Sequence, residues 1–142
     1  MGYTSAQYAY VAVGGGALFR YGLAGDALTP LTPPSLPTSA SANQVVVSSD
    51  GRSVYVTTQA GIDQFDQGAG TLSPKNPPSV PVASGVAGIA ETPDRTSVYA
   101  TGQFSQAILL FDVGTGGTLA PKATPTLSLP GGAVPALSLI HI

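Results

Sequence analysis

The sequence predicts an all-β chain of about three tandem units, each a small sheet of four antiparallel strands. Three observations carry that prediction: a motif that recurs 44 residues on, an Asp-Gly turn set between β-prone runs, and prolines gathered into one segment of each unit. The motif at 48–57, Ser-Ser-Asp-Gly-Arg-Ser-Val-Tyr-Val-Thr, is answered at 92–101 by Thr-Pro-Asp-Arg-Thr-Ser-Val-Tyr-Ala-Thr. An earlier partial copy at 6–12 places Tyr10 where Tyr55 and Tyr99 stand. Between the first two units the prolines coincide as well, Pro30, Pro33, Pro34 and Pro37 mapping onto Pro74, Pro77, Pro78 and Pro81. A fixed period of this length marks a repeat architecture, in which each unit buries its faces against its neighbours.

Each unit divides into four elements, A to D in chain order. Asp50-Gly51 lies between Asn43-Gln44-Val45-Val46-Val47 and Ser53-Val54-Tyr55-Val56-Thr57. That arrangement is the short-range signature of a hairpin, because Asp and Gly accept the backbone angles of a tight turn. The two runs are strands A and B. Strand C is the apolar run ending in Tyr21, Phe65 or Phe111, and the glycines at 68–70 and 114–117 supply the next turn. Strand D begins at Leu28, Leu72 or Leu119 in a Leu-x-Pro triplet. Eleven of the thirteen prolines lie in D segments, which decides where D goes. A residue with no N–H is tolerated mainly at a sheet edge, and an edge that cannot donate resists pairing with another molecule. Strands A and C are apolar on consecutive residues, as in Val45-Val46-Val47 and Ile108-Leu109-Leu110-Phe111, so both faces of each sheet must be covered. Four-stranded sheets stacked face to face around an axis meet that need. The expected architecture is a partial β-propeller of about three four-stranded antiparallel blades.

The units occupy about 6–41, 42–85 and 86–130, with the start of a fourth at 131–136, so that one propeller domain spans 1–136. Strand A of the first unit is missing before Ala6, and a further strand A opens at Gly131-Gly132-Ala133-Val134. Both ends therefore read as cut. The last six residues, 137–142, spell what a transposon-end sequencing adapter encodes when read in frame, and are expected to be an artefact. Three blades cannot close a ring. Their uncovered terminal faces should be met by the missing blades of the parent chain, and the isolated chain should self-associate.

Composition excludes several functions. Charged residues make up 8% of the chain and the net charge is −2, with no Lys/Arg cluster. The electrostatic footprint of a nucleic-acid partner is absent. Every apolar run is interrupted by Gly, Pro, Ser or charge, so no membrane insertion is expected. The absence of cysteine removes disulfides, thiolate catalysis and Cys-based metal sites. Low charge with abundant Ser, Thr, Ala and Pro points to an extracellular or periplasmic location.

The pattern Asp-Gly-x-Ser-Val-Tyr-Val-Thr, then an apolar strand C, then Gly-x-Gly-x-Leu-x-Pro-Lys, resembles the repeat of bacterial lactonase-like seven-bladed propellers. Surface-layer propellers with YVTN repeats share it. The resemblance covers about 8–135 and is best at 48–75 and 85–122; it departs at Arg95, where the family's turn carries Gly. It implies a parent of about seven blades and allows two functions. One is hydrolysis of a lactone, such as a sugar lactone, by channel-lining carboxylates. The alternative is a non-catalytic extracellular or surface-layer module that binds a partner or carbohydrate. Fold alone does not choose between them. The fragment by itself is expected to be inactive, since a site at a propeller axis draws on most of the ring.

Candidate chemistry is sparse. His141, the single histidine, lies in the adapter-like tail, which leaves no Ser/His/Asp arrangement, no metal site and no expected cofactor. Acid–base work falls to carboxylates. Asp50 and Asp94 recur at the A-to-B turn and Asp66 and Asp112 after strand C, and all four read as turn formers. Asp63 reads as a polar residue at a solvated strand end, and Lys75 and Lys122 as exposed edge lysines. Gly14-Gly15-Gly16 reads as a strand-connecting turn, since no helix follows to make a phosphate cradle. Glu91 differs, because the aligned residue in the preceding unit is Val47. At the end of an inner strand A it is the candidate catalytic carboxylate, with Asn43 and Gln44 on another inner strand as candidate ligand-binding neighbours.

Overall fold

A computed structural model describes residues 7–131. The proposed start of a fourth strand A beyond Gly131, the adapter-like tail with His141, and Ala6 lie outside the described residues. The chain forms three antiparallel meanders. The first sheet contains β1 (Gln7–Val13), β2 (Ala17–Ala24) and β3 (Ala27–Pro37). The second contains β4 (Ala42–Val47), β5 (Ser53–Thr58), β6 (Gly61–Gln67) and β7 (Leu72–Pro81). The third contains β8 (Val86–Glu91), β9 (Ser97–Gly102), β10 (Ala107–Val113) and β11 (Leu119–Ser128). A single 3-10 turn at Thr115–Gly117 interrupts the strands, and among the described residues no helix is long and apolar enough to cross a membrane.

Strand order within each sheet follows the chain, so the proline-rich strands β3, β7 and β11 occupy one edge and β4 and β8 the other. Among the described residues the first sheet starts at β1, which corresponds to strand B, and has three strands where the others have four. The architecture is all-β and matches a partial propeller.

Alternation along the middle strands explains how the sheets stack. In β5, Val54 and Val56 pack with Leu18 of the first sheet, whereas Tyr55 packs with Val98, Ala100 and Phe111 of the third. Successive side chains of a strand point to opposite faces, so this one strand serves both interfaces. Every residue of β5 is accordingly buried. Each fully buried valine contributes on the order of 2 kcal/mol of hydrophobic stabilisation.

A register shift recurs where strand C meets strand D: between Phe19 and Tyr21, Asp63 and Phe65, and Leu109 and Phe111. At the first two of these bulges Arg20 and Gln64 are buried and reach across to the next sheet. Arg20 Nη1 donates to Pro33 O at 3.2 Å and its Nη2 to Gly70 O at 2.8 Å. Gln64 Nε2 donates to Pro77 O at 2.9 Å, while its Oε1 accepts from Leu119 N at 2.9 Å.

Three expectations about charged residues are corrected. Asp63 is 4% exposed rather than solvated. It lies on the face of β6 opposite to Gln64, where its carboxylate accepts from Ser39 N at 2.7 Å and Ser39 Oγ at 2.6 Å in the link between the first and second sheets. Lys75 is 4% exposed rather than an open edge lysine, because the strand D side chain turns along the sheet to ion-pair with Asp66 and donates to Gly116 O of the next sheet at 2.5 Å. Asp66 and Asp112 are the ion-pair partners of Lys75 and Lys122, not turn formers.

Candidate functional site

The site is built from two neighbouring A-to-B turns. In the second sheet Gly51 N donates to Ser48 O at 2.8 Å, and Asp50 Oδ1 accepts from Ser48 Oγ at 2.5 Å and Arg52 N at 3.0 Å. The third sheet repeats this: Arg95 N donates to Thr92 O at 2.9 Å, and Asp94 Oδ1 accepts from Thr92 Oγ1 at 2.6 Å and Thr96 N at 3.1 Å. Asp50 and Asp94 are thus turn formers, as their recurrence implies. These contacts favour the charged carboxylate. The Ser48 hydroxyl is the main cause that holds Asp50 below the ordinary carboxylate range, and the Thr92 hydroxyl does the same for Asp94.

Gly51 holds φ 72° and its counterpart Arg95 holds φ 59°. A non-glycine residue there carries a backbone cost of about 1–2 kcal/mol. The arginine side chain reaches back to the preceding turn, where Nη1 stands 3.1 Å from Asp50 Oδ2.

Glu91, the last residue of β8, is half-buried between the two turns. Its Oε1 accepts from Ser49 N at 3.0 Å and Ser49 Oγ at 3.1 Å, tying the third sheet to the second. Its other carboxylate oxygen makes no hydrogen bond to a described residue. On one side lies a polar cleft of about 290 Å³, walled by Asp50, Arg52, Asp94 and Arg95 and floored by Tyr55 and Gly116. Tyr55 Oη donates to Gly117 O at 2.5 Å, and burial raises the phenol above its ordinary value. On the other side a smaller cleft of about 190 Å³ runs along the inner strands between Val46, Val47, Ile89 and Ala90. Glu91 is the one residue that lines both.

The structure does not bring Asn43 or Gln44 to Glu91. They sit at the opposite end of the inner strands and join β4 to β8. Asn43 Nδ2 donates to Val86 O at 2.8 Å and to Gln103 Oε1 at 3.1 Å, and Gln44 Oε1 accepts from Ile89 N at 3.0 Å. Arg52, Arg95 and Tyr55 are site residues that sequence reasoning did not select. The signal for Arg95 was present, as the arginine standing where the turn wants glycine. Arg52 and Tyr55 carried none, since both read as ordinary members of the repeat.

Among the described residues no group of three or more His, Asp or Glu side chains could hold a metal ion. What the arrangement offers is a half-buried carboxylate with one oxygen available, beside guanidinium donors in one cleft and apolar side chains in the other. Such a carboxylate can orient and deprotonate a water molecule.

Comparison with solved structures finds this fold in longer proteins. One, named "putative 6-phosphogluconolactonase" from Bacteroides fragilis NCTC 9343, matches with TM-score 0.61 and 22% identity over 73% of this chain and 34% of its own. Another of the same name, from Bacteroides uniformis ATCC 8492, matches with TM-score 0.66 and 16% identity over 86% of this chain and 37% of its own. A functionally unknown protein from Desulfotomaculum acetoxidans DSM 771 matches with TM-score 0.59 and 23% identity over 80% of this chain and 38% of its own. The chain spans little more than a third of the length of these structures, and at such identities the likeness is one of fold. No family model matches the sequence, and no curated protein matches it.

Proposed function

We propose that the chain is part of a lactonase-like propeller of about seven blades that hydrolyses a sugar lactone, with Glu91 as the carboxylate that activates water. The observation that carries this reading is the placement of Glu91, whose unoccupied oxygen stands where the polar cleft meets the channel-side apolar cleft. The fold shared with two proteins named as phosphogluconolactonases supports the choice of reaction. In this reading the protein acts outside the cytoplasm, an expectation that rests on its low charge and that cell fractionation checks.

The chemistry balances without a cofactor. A water held by Glu91 loses a proton to the carboxylate as its oxygen attacks the lactone carbonyl carbon. The tetrahedral intermediate then expels the ring oxygen, which takes up the proton as a hydroxyl group, leaving an open-chain acid. Donors for the developing oxyanion come from the rest of the ring.

The test uses the complete reading frame. Glucono-1,5-lactone and its 6-phosphate are supplied and proton release is followed. We expect turnover, and a fall of about a hundredfold or more in kcat for Glu91→Gln with an unchanged melting temperature. Turnover that is the same in Glu91→Gln refutes the role of Glu91. No turnover on either lactone sinks the enzyme and leaves a non-catalytic propeller that binds a partner or carbohydrate.

A further inference from the structure

The polar cleft beside Glu91 has its own recognition chemistry. Three carboxylates, Asp50, Glu91 and Asp94, and two guanidinium groups, Arg52 and Arg95, line it. Arg95 is engaged with Asp50, and Asp50 and Asp94 each spend one oxygen on their own turn. Arg52 is exposed and makes no ion pair among the described residues. The cleft therefore offers free N–H donors from one turn and free carboxylate acceptors from the other, both lining it together with Gly114, Gly116 and Gly117. At Gly116 the floor is open, with no atom within 4 Å of where a side chain would begin.

A second observation points the same way. Arg95 keeps a positive φ where the repeat itself has a glycine solution in Gly51. Strained backbone positions cluster at ligand-binding and active sites. The effect here is to place a second guanidinium on the wall of the cleft.

We infer that this cleft binds a neutral polyhydroxylated ligand, a monosaccharide or its lactone, in preference to a phosphorylated sugar. A sugar hydroxyl both donates and accepts, so a wall of alternating guanidinium and carboxylate groups satisfies neighbouring hydroxyls in pairs. The adjoining face formed by Val46, Val47, Ile89 and Ala90 suits the C–H face of a pyranose ring. A volume of about 290 Å³ lies at the lower bound of small-ligand pockets, which fits a single ring. Charge sets the selectivity. Three carboxylates against two guanidinium groups leave one net negative charge, and a phosphate dianion about 7 Å from it in a solvated cleft is disfavoured on the order of tenfold. This inference deepens the lactone reading by naming the substrate class, but it concerns binding and is tested separately from turnover.

The experiment is calorimetric titration of the full-length protein with D-glucose and with glucose 6-phosphate at low ionic strength. We expect glucose to bind, glucose 6-phosphate to bind about tenfold more weakly, and added salt to narrow the gap. Arg52→Ala, at an exposed turn position, should weaken glucose binding about tenfold at an unchanged melting temperature. Glucose 6-phosphate binding as tightly as glucose, or an Arg52→Ala variant with undiminished affinity, overturns the inference; so does the absence of glucose binding. Arg52-dependent glucose binding in a protein that turns over no lactone upholds the inference and removes the catalytic reading. Lactone turnover without glucose binding does the reverse.

Discussion

Gln64→Leu isolates the clasp between the second and third sheets. The side chain is fully buried, and its amide serves two backbone groups: Pro77 O at the C–D bulge and Leu119 N at the start of β11. Leucine has nearly the volume of glutamine, so the substitution removes both hydrogen bonds while leaving packing close to intact. Leu119 N, which is buried, then loses its partner at about 1–3 kcal/mol, and Pro77 O, which is only partly buried, at the low end of that range. Burial of a more apolar side chain offsets roughly 1 kcal/mol of this, for a net loss of about 2 kcal/mol. Gln64→Ala should cost about 1–2 kcal/mol more, because it adds a cavity to the same orphaned groups. Urea denaturation of the full-length protein measures both losses by linear extrapolation. A Gln64→Leu protein within about 0.5 kcal/mol of the parent would refute the reasoning, since it would mean that water or relaxed backbone satisfies both groups without the amide.

Other substitutions probe the turns and the outer rim. Arg95→Gly relieves an unfavourable φ but loses a half-exposed ion pair with Asp50, worth about 0–1 kcal/mol; the expected net change is a stabilisation of up to about 1 kcal/mol, read from the thermal midpoint. Lys75→Met keeps the buried stem but removes the contacts with Asp66 and Gly116 O, and should cost about 2 kcal/mol, Asp66 being free to resolvate. Asp50 and Asp94 have folded-state pKa values below the ordinary 3.8. Their contribution is therefore present above that value and lost as pH falls through the lower folded values, so melting temperature should drop on acidification below about pH 4. Asp94→Asn should flatten that drop, and an unchanged pH profile would count against the turn hydrogen bonds as its source.

The blade was legible in the sequence because its determinants are local. Asp-Gly between two apolar runs needs only adjacent residues to specify a hairpin, and Pro30, Pro33, Pro34 and Pro37 exclude β3 from any place but an edge. The period then repeated these local decisions, so that the order A-B-C-D and the three-stranded first sheet could be read before the structure. What could not be read was the direction of the side chains at the C–D bulge. The pairing advances five residues on β7, from Ser79 to Pro74, against two on β6, from Asp63 to Phe65. Strand C keeps its alternation, so Asp63 shares the face of Phe65 toward the first sheet and not solvent. Lys75 escaped for a related reason. The edge position of its backbone was right, but a lysine stem is long enough to lie along the sheet and bury itself against the next one.

The site shows where repeat reasoning loses sight of function. Alignment of units asks what each position has in common, and that common part is the blade. The interfaces depend on pairs 42 to 62 residues apart, such as Glu91 with Ser49 and Tyr55 with Gly117, whose members belong to different units and different repeat positions. Departures from the repeat are consequently the informative residues, and Glu91 in the place of Val47 and Arg95 in the place of Gly51 prove to line one cleft. Asn43 and Gln44 depart from Ala87 and Gly88 too, yet both amides are engaged with β8 or the turn that follows β9. Divergence thus marks either a junction or a site. The carboxylate oxygen of Glu91 and the guanidinium of Arg52, both unengaged among the described residues, are why we propose this cleft for the second class.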